Sequence, residues 1–171
     1  MIAGRAPILD FDGTLARLDV DWDGLRRQLG VARIGDLWEA GDSARGWADV
    51  TAAEVNAAAA ADPVLPVLAL IEDARHFAVL SSNSVDAVDV FLERFPTLGA
   101  RAAVVVGRET LDGPKADFHV FERGYRKCVE ALERAGGVAY IGDQAYELDF
   151  AARLGAVVID AKTLDGYLWK K

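Results

Sequence analysis

The stretch Ile8-Leu9-Asp10-Phe11-Asp12-Gly13-Thr14-Leu15 decides how this chain is read. An apolar run ends in two carboxylates two residues apart, and a Gly-Thr turn follows at once. Side chains at i and i+2 leave the same side of an extended strand, so the spacing predicts Asp10 and Asp12 in one pocket. Two carboxylates held close raise each other's pKa. A hard divalent cation relieves that repulsion, so the pair invites Mg²⁺. Asp-Gly after a strand is also a common turn, so the choice between chemistry and plain structure falls to the rest of the sequence.

The chain has 171 residues, of which 52% are hydrophobic and 27% charged. That suits one globular domain carrying a small insertion. The formal net charge of −8 argues against a nucleic-acid groove, which needs clustered Lys and Arg. Cys128 is the single cysteine, so no intrachain disulfide is possible and nothing points to an oxidising compartment. The run before Asp10 is too short for a signal peptide, and no apolar stretch approaches the ~20 residues of a membrane span. The expectation is a cytoplasmic protein with no membrane partner. No sequence feature fixes an oligomeric state.

Short apolar runs alternate with helical patterns. Strands are expected at 6–11, 77–81, 102–106, 138–141 and 156–159. All five are apolar along their length, as strands buried on both faces should be. After a Ser84 N-cap, Val85, Val88, Phe91, Leu92 and Phe95 follow helical spacing. Phe118, Phe121, Cys128, Leu132 and Ala135 do the same, with Gly136-Gly137 as a stop. This alternation predicts an α/β fold, a Rossmann-like, doubly wound, parallel five-stranded sheet with helices on both faces. Ligands of such sheets sit beyond the carboxyl ends of the strands.

Residues 17–61 break the alternation. They contain no convincing strand and read as helices at 22–29, 34–40 and 44–61. The alanine run at 57–61 has high helix propensity, and Pro63 and Pro66 are placed to open the next helix. The expected organisation is a core of 1–16 and 64–171 with a small helical insert at 17–63. Trp22, Trp38 and Trp47 lie in that insert, and burial habits make them its own small core. His76 and His119 have no ligand-spaced Cys or His neighbours and are expected at the surface.

Three further polar groups follow predicted strands. The run Ser81-Ser82-Asn83-Ser84 joins a strand end to a helix start, where hydroxyls and free N–H groups form an anion site. Lys115 follows Gly113-Pro114 and is one of only five lysines. Gly142-Asp143-Gln144-Ala145-Tyr146-Glu147-Leu148-Asp149 closes the fourth strand. Read alone, each has a bland alternative: a helix N-cap for the serines and for Asp143, and a solvated surface lysine for Lys115.

Taken in order, the four groups resemble the motifs of the haloacid dehalogenase-like (HAD) hydrolases. Asp10-Phe11-Asp12-Gly13-Thr14 is similar to the family's first motif, D-x-D-G-T. The resemblance implies a nucleophilic Asp10 that becomes aspartyl-phosphate and a general acid/base Asp12, with Gly13 and Thr14 at the phosphate. It implies that Ser82 binds the phosphoryl group beside Asn83, with Ser81 as the less favoured choice. It implies that Lys115 neutralises charge, although many relatives read Lys-Pro where this chain reads Lys115-Ala116. It implies Mg²⁺ held by Asp10, Asp12, Asp143 and Glu147, with Asp149 as runner-up to Glu147. The insert takes the place of the family's helical C1 cap. Ser82 follows Asp12 by 70 residues, so that cap is short.

The resemblance favours a Mg²⁺-dependent phosphatase acting on a small phosphorylated metabolite, most like the phosphoglycolate phosphatase group. Asp12 counts against a dehalogenase, because dehalogenases lack that second Asp. The absence of any lysine before Lys115 counts against a Schiff-base phosphonatase. A sugar-phosphate mutase and a catalytically silent scaffold on the same core remain as alternatives. Arg17, nearest the junction of insert and core, is the candidate for a substrate anion.

Overall fold

The computed structural model describes residues 2, 4–40, 43–133 and 136–164. Ala135, expected at the end of a helix, lies outside them, as do both ends of the expected core. A five-stranded parallel sheet has the order β5-β4-β1-β6-β7, built from β1 (Ala6–Leu9), β4 (Phe77–Leu80), β5 (Ala102–Val106), β6 (Val138–Gly142) and β7 (Val157–Asp160). Two short strands, β2 (Ala16–Arg17) and β3 (Asp62–Pro63), form a separate antiparallel ribbon. The expected α/β sheet is present with its five strands.

Alternate residues of the central strands feed two cores. Leu9, Val79 and Ile141 point to one cluster. Ile8, Ala78, Leu80 and Tyr140 point to the other. The first is covered by α3 (Leu65–Leu70), α4 (Val85–Arg94) and α5 (Pro96–Gly99). The second is covered by α6 (Arg108–Leu111), α7 (Phe118–Ala131) and α8 (Ala145–Arg153). This two-sided burial is why β1, β4 and β6 carry no charged residue on either face. The expectation of full burial fails at the edges. Val157 and Val158 of β7 are 40% and 38% exposed, and Ala103 of β5 is exposed. An edge strand has a neighbour on one side only, so its apolar residues are less completely covered.

The insert holds α1 (Trp22–Leu29), a 3₁₀ helix at Ile34–Trp38, and α2 (Ser43–Ala58). Asp21 caps α1 by accepting from the Gly24 N–H. Leu25, Leu37 and Val50 make a small apolar cluster there. Two expectations need correction. Pro63 does not open a helix; it pairs with Ala16 in the ribbon, where its missing N–H costs little at a sheet edge. Only Pro66 sits at a helix start. The alanine run leaves the helix at Ala58, since α2 stops there. Arg94 of α4 donates to the carbonyls of Ala58 (3.0 Å) and Ala61 (2.6 Å), satisfying carbonyls that a helix end leaves open. No helix among the described residues is long and apolar enough to cross a membrane.

Candidate active site

Strand β1 ends at Leu9, one residue before the first carboxylate. The ladder to β6 runs on through the Asp10 N–H to the Ile141 carbonyl (2.9 Å), and then the chain turns. The Phe11 carbonyl accepts from the N–H groups of Thr14, Leu15 and Ala16. The two aspartates therefore share a pocket through this turn, not through strand alternation. Asp10 and Asp12 both line a cavity of about 400 Å³, together with Ser82, Asn83, Lys115 and Asp143.

Lys115 is delivered by the loop between α6 and α7, whose far end Asp117 fixes by accepting from the N–H groups of His119 and Val120. Its Nζ lies 2.6 Å from Asp10 Oδ1 and 2.8 Å from Glu147 Oε1, almost wholly out of water. Burial alone would lower the ammonium pKa; the two carboxylates outweigh it and hold Lys115 charged. Burial and the Glu147 charge push Asp10 up to about 7, and Lys115 pulls the other way. Burial also raises Asp12, opposed by the Leu18 N–H, which donates to Asp12 Oδ1 at 3.0 Å.

Glu147, in the first turn of α8, accepts from Tyr146 Oη (3.0 Å) and Tyr140 Oη (2.9 Å) as well as from Lys115. Three donors occupy its two oxygens, so the geometry makes it the anchor of Lys115. Asp149, the runner-up, is exposed and lies 3.9 Å from Arg153 on the same helix.

Asp143 follows β6. Its Oδ2 accepts from Gln144 Nε2 at 2.8 Å and lies 3.3 Å from Lys162 Nζ. Its Oδ1 is buried without a hydrogen-bond partner, an expensive condition for a carboxylate. Gly13 adopts φ +78°, and a Cβ there would stand 2.9 Å from Asp143 Oδ2. The glycine thus lets the first turn approach the Asp143 carboxylate. Thr14 is buried, and its Oγ1 likewise has no partner.

At the end of β4 the two serines divide. Ser81 is buried; its hydroxyl donates to Asn83 Oδ1 (3.0 Å) and accepts from the Asn83 N–H (3.1 Å). Ser82 is exposed at the pocket. Ser84 caps α4 through the Ala87 N–H, as its position predicts. His76 and His119 are both exposed.

Arg17 is not brought to this site. It is exposed on β2 and lines a separate cavity of about 1,040 Å³ with Asp19, Asp62 and Pro66. Sequence reasoning missed Glu54 and Arg108. Glu54 of α2 is buried and accepts from Asn83 Nδ2 (3.0 Å), the Ser84 N–H (2.9 Å) and Arg108 Nη1 (2.9 Å). Arg108 also donates to Thr51 Oγ1 (2.6 Å) and to the Ser82 carbonyl (3.4 Å). A signal for Glu54 exists: Gly46, Val50, Glu54 and Ala58 recur every four residues and are all buried. A carboxylate in the middle of a buried stripe needs a partner.

Among the described residues, no three Asp, Glu, His or Cys side chains converge into a ready-made metal cage. Mg²⁺ does not require one, being held by one or two carboxylates with water and substrate phosphate. The unpartnered Asp143 Oδ1, in the same pocket as Asp10 and Asp12, fits that requirement.

No protein-family model and no curated protein sequence matches the chain. Solved structures do. A Bacteroides fragilis protein described as haloacid dehalogenase-like superposes with TM-score 0.64 at 17% identity, over 91% of this chain and 86% of the other. A HAD-superfamily hydrolase of subfamily IA from Geobacter sulfurreducens gives 0.56 at 15%, over 91% and 86%. A HAD family enzyme from Bacteroides thetaiotaomicron gives 0.56 at 12%, over 98% of both chains. With its sheet order and the position of its insert, the chain has the haloacid dehalogenase-like fold.

Proposed function

We propose that this protein is a Mg²⁺-dependent phosphatase that hydrolyses a phosphomonoester metabolite through an aspartyl-phosphate on Asp10. The observation that carries the reading is the buried Lys115, 2.6 Å from Asp10 and braced by Glu147. A lysine confined in this way neutralises charge at one point, which phosphoryl transfer demands. The fold neighbours described as hydrolases support a hydrolase.

In this reading an Asp10 oxygen attacks phosphorus in line with the departing oxygen. Lys115 balances the charge of Asp10 and of the phosphoryl oxygens as the bond to phosphorus forms. Ser82 offers its exposed hydroxyl to the same oxygens, while Ser81 and Asn83 hold the loop in shape. Asp12, whose pKa burial raises, carries a proton to the leaving alkoxide. It then takes a proton from the water that attacks the aspartyl-phosphate, returning Asp10 and releasing phosphate. One or two of the carboxylates Asp10, Asp12 and Asp143 would hold Mg²⁺ together with water and the phosphate, and the ion supplies further positive charge to the phosphoryl oxygens when bound. Residues 17–63 act as a small cap whose helices roof the pocket.

Asp12 separates this reading from a dehalogenase, which has no alkoxide to protonate. The test is hydrolysis of p-nitrophenyl phosphate with Mg²⁺, with EDTA, and by Asp10→Asn. Turnover lost in both controls is expected. Turnover that survives Asp10→Asn would refute the mechanism.

A further inference from the structure

The roof of the pocket is aromatic. Trp22, Trp38 and Trp47 all line the cavity that holds Asp10, and none is fully buried. The insert's own core consists of Leu25, Leu37 and Val50, with Trp22 and Trp47 packed against its edge. Trp38 is not among the residues packed on that core, and all three rings keep a face toward the carboxylate-lined pocket.

Two of them pack together, tilted, on a fixed base. The Arg108 guanidinium lies 4.6 Å from the Trp47 ring centroid. Trp47 lies 5.0 Å from Trp38 at a 55° tilt. Arg108 cannot wander, because Glu54 and Thr51 hold its two terminal nitrogens. The result is a cation–ring–ring ladder that rises from the serine loop into the roof. Such ladders present π faces at low entropic cost.

Two cations at the pocket wall have solvent-exposed carboxylate partners. Arg26 pairs with Asp23, and Arg33 with Asp36 at 3.1 Å. The cavity of about 400 Å³ lies in the range of pockets that enclose a ring-sized ligand, and a two-carbon phosphoester would leave most of it unfilled.

We propose that the group esterified to phosphate is a planar aromatic ring system, stacked against Trp38 and Trp22 above Asp10. The inference rests on the phosphatase reading for its chemistry but not for its binding site.

The test compares benzyl phosphate with cyclohexylmethyl phosphate. Both release a primary alkoxide, so they differ chiefly in the aromatic face. Stacking of ordinary strength predicts a kcat/KM about five- to tenfold higher for the benzyl ester. Trp38→Ala should bring the two esters to within about twofold, and Trp38→Phe should keep most of the preference. Trp22→Ala serves the same purpose if Trp38→Ala fails to fold. Binding of benzylphosphonate and cyclohexylmethylphosphonate, which cannot be hydrolysed, is measured in parallel by calorimetry. Equal kcat/KM for the two esters, or a preference untouched by both alanine variants, overturns the inference. If neither ester turns over while benzylphosphonate binds more tightly in a Trp38-dependent way, the aromatic site stands and the phosphatase reading falls. If neither ester turns over and the phosphonates bind equally or not at all, the inference falls as well.

Discussion

Glu54, carried by the insert, accepts a 3.0 Å hydrogen bond from the side-chain amide of Asn83, which lies in the loop after β4. The same carboxylate takes Arg108 and the Ser84 N–H. One buried acid thus ties roof, serine loop and Arg108 together. Glu54→Ala would leave the buried Arg108 only the half-exposed Glu109 carboxylate, 3.7 Å away, as counter-charge, a loss toward the lower end of the roughly 3–5 kcal/mol for broken buried pairs. The expected result is a melting temperature lower by about 10 °C and a raised KM. Glu54→Gln, which can still accept from Asn83, should lose less of both. Thermal unfolding and steady-state kinetics check this.

Without metal, Asp10 should make stability depend on pH in a defined direction. Its folded pKa of about 7 stands above the ordinary 3.8. Between those values the folded chain keeps a proton that the unfolded chain has lost. This contribution to stability therefore falls as pH rises through that window and is gone above about 7. Asp10→Asn has no such loss. In EDTA it should melt above the wild type at pH 8, with the gap narrowing by pH 5. A gap of the same size at both pH values would show that the Asp10 proton is not its source.

Lys115→Met would strand Asp10 and Glu147 as two buried carboxylates with no cation between them. Activity should fall at least about 100-fold. Lys115→Arg should not restore it, because a planar fork cannot replace a point charge seated 2.6 and 2.8 Å from two acids. Single-turnover rates at saturating substrate would read the effect on chemistry alone.

Lys162 donates to the Asp143 carbonyl at 2.5 Å and sits 3.3 Å from its carboxylate. A cation at Asp143 must share that charge with the lysine. Lys162→Ala should therefore lower the Mg²⁺ concentration for half-maximal activity several-fold and enlarge the thermal shift that Mg²⁺ produces. Gly13→Ala should abolish both responses, since its Cβ would meet Asp143 Oδ2 and its φ is +78°.

Most polar residues of the floor were legible because they follow an apolar strand, and Lys115 because it is a lone lysine after Gly113-Pro114 in the loop between α6 and α7. Asp10, Ser81-Ser82, Lys115 and Asp143 are punctuation in the sequence, and the sheet order brings them together beyond its carboxyl edge. Contacts across the insert were not legible. Glu54 looks like an ordinary helix residue until its place in a buried stripe is noticed, and Arg108 is one more charge after Gly107. The resemblance put Glu147 beside the metal candidates; its contacts to Tyr140, on β6, and to Lys115, after α6, are not written in that motif, and only Tyr146 is its neighbour in sequence. Arg17 was favoured for its nearness in sequence to Asp12, but the two-residue ribbon turns it toward another cavity.

The floor and the roof are encoded separately. Residues that would break the phosphate ester come from strand ends and the loops after them, whereas the walls that would select its organic part come from 22–47. The Glu54–Arg108 pair, with Asn83 and Thr51 beside it, stitches the two together. Such a division would let the roof diverge, or be redesigned, without retuning the acids of the floor, provided that Glu54, Arg108 and the seat of α2 on α4 through Arg94 are kept. A chain built this way can change its diet while keeping its teeth.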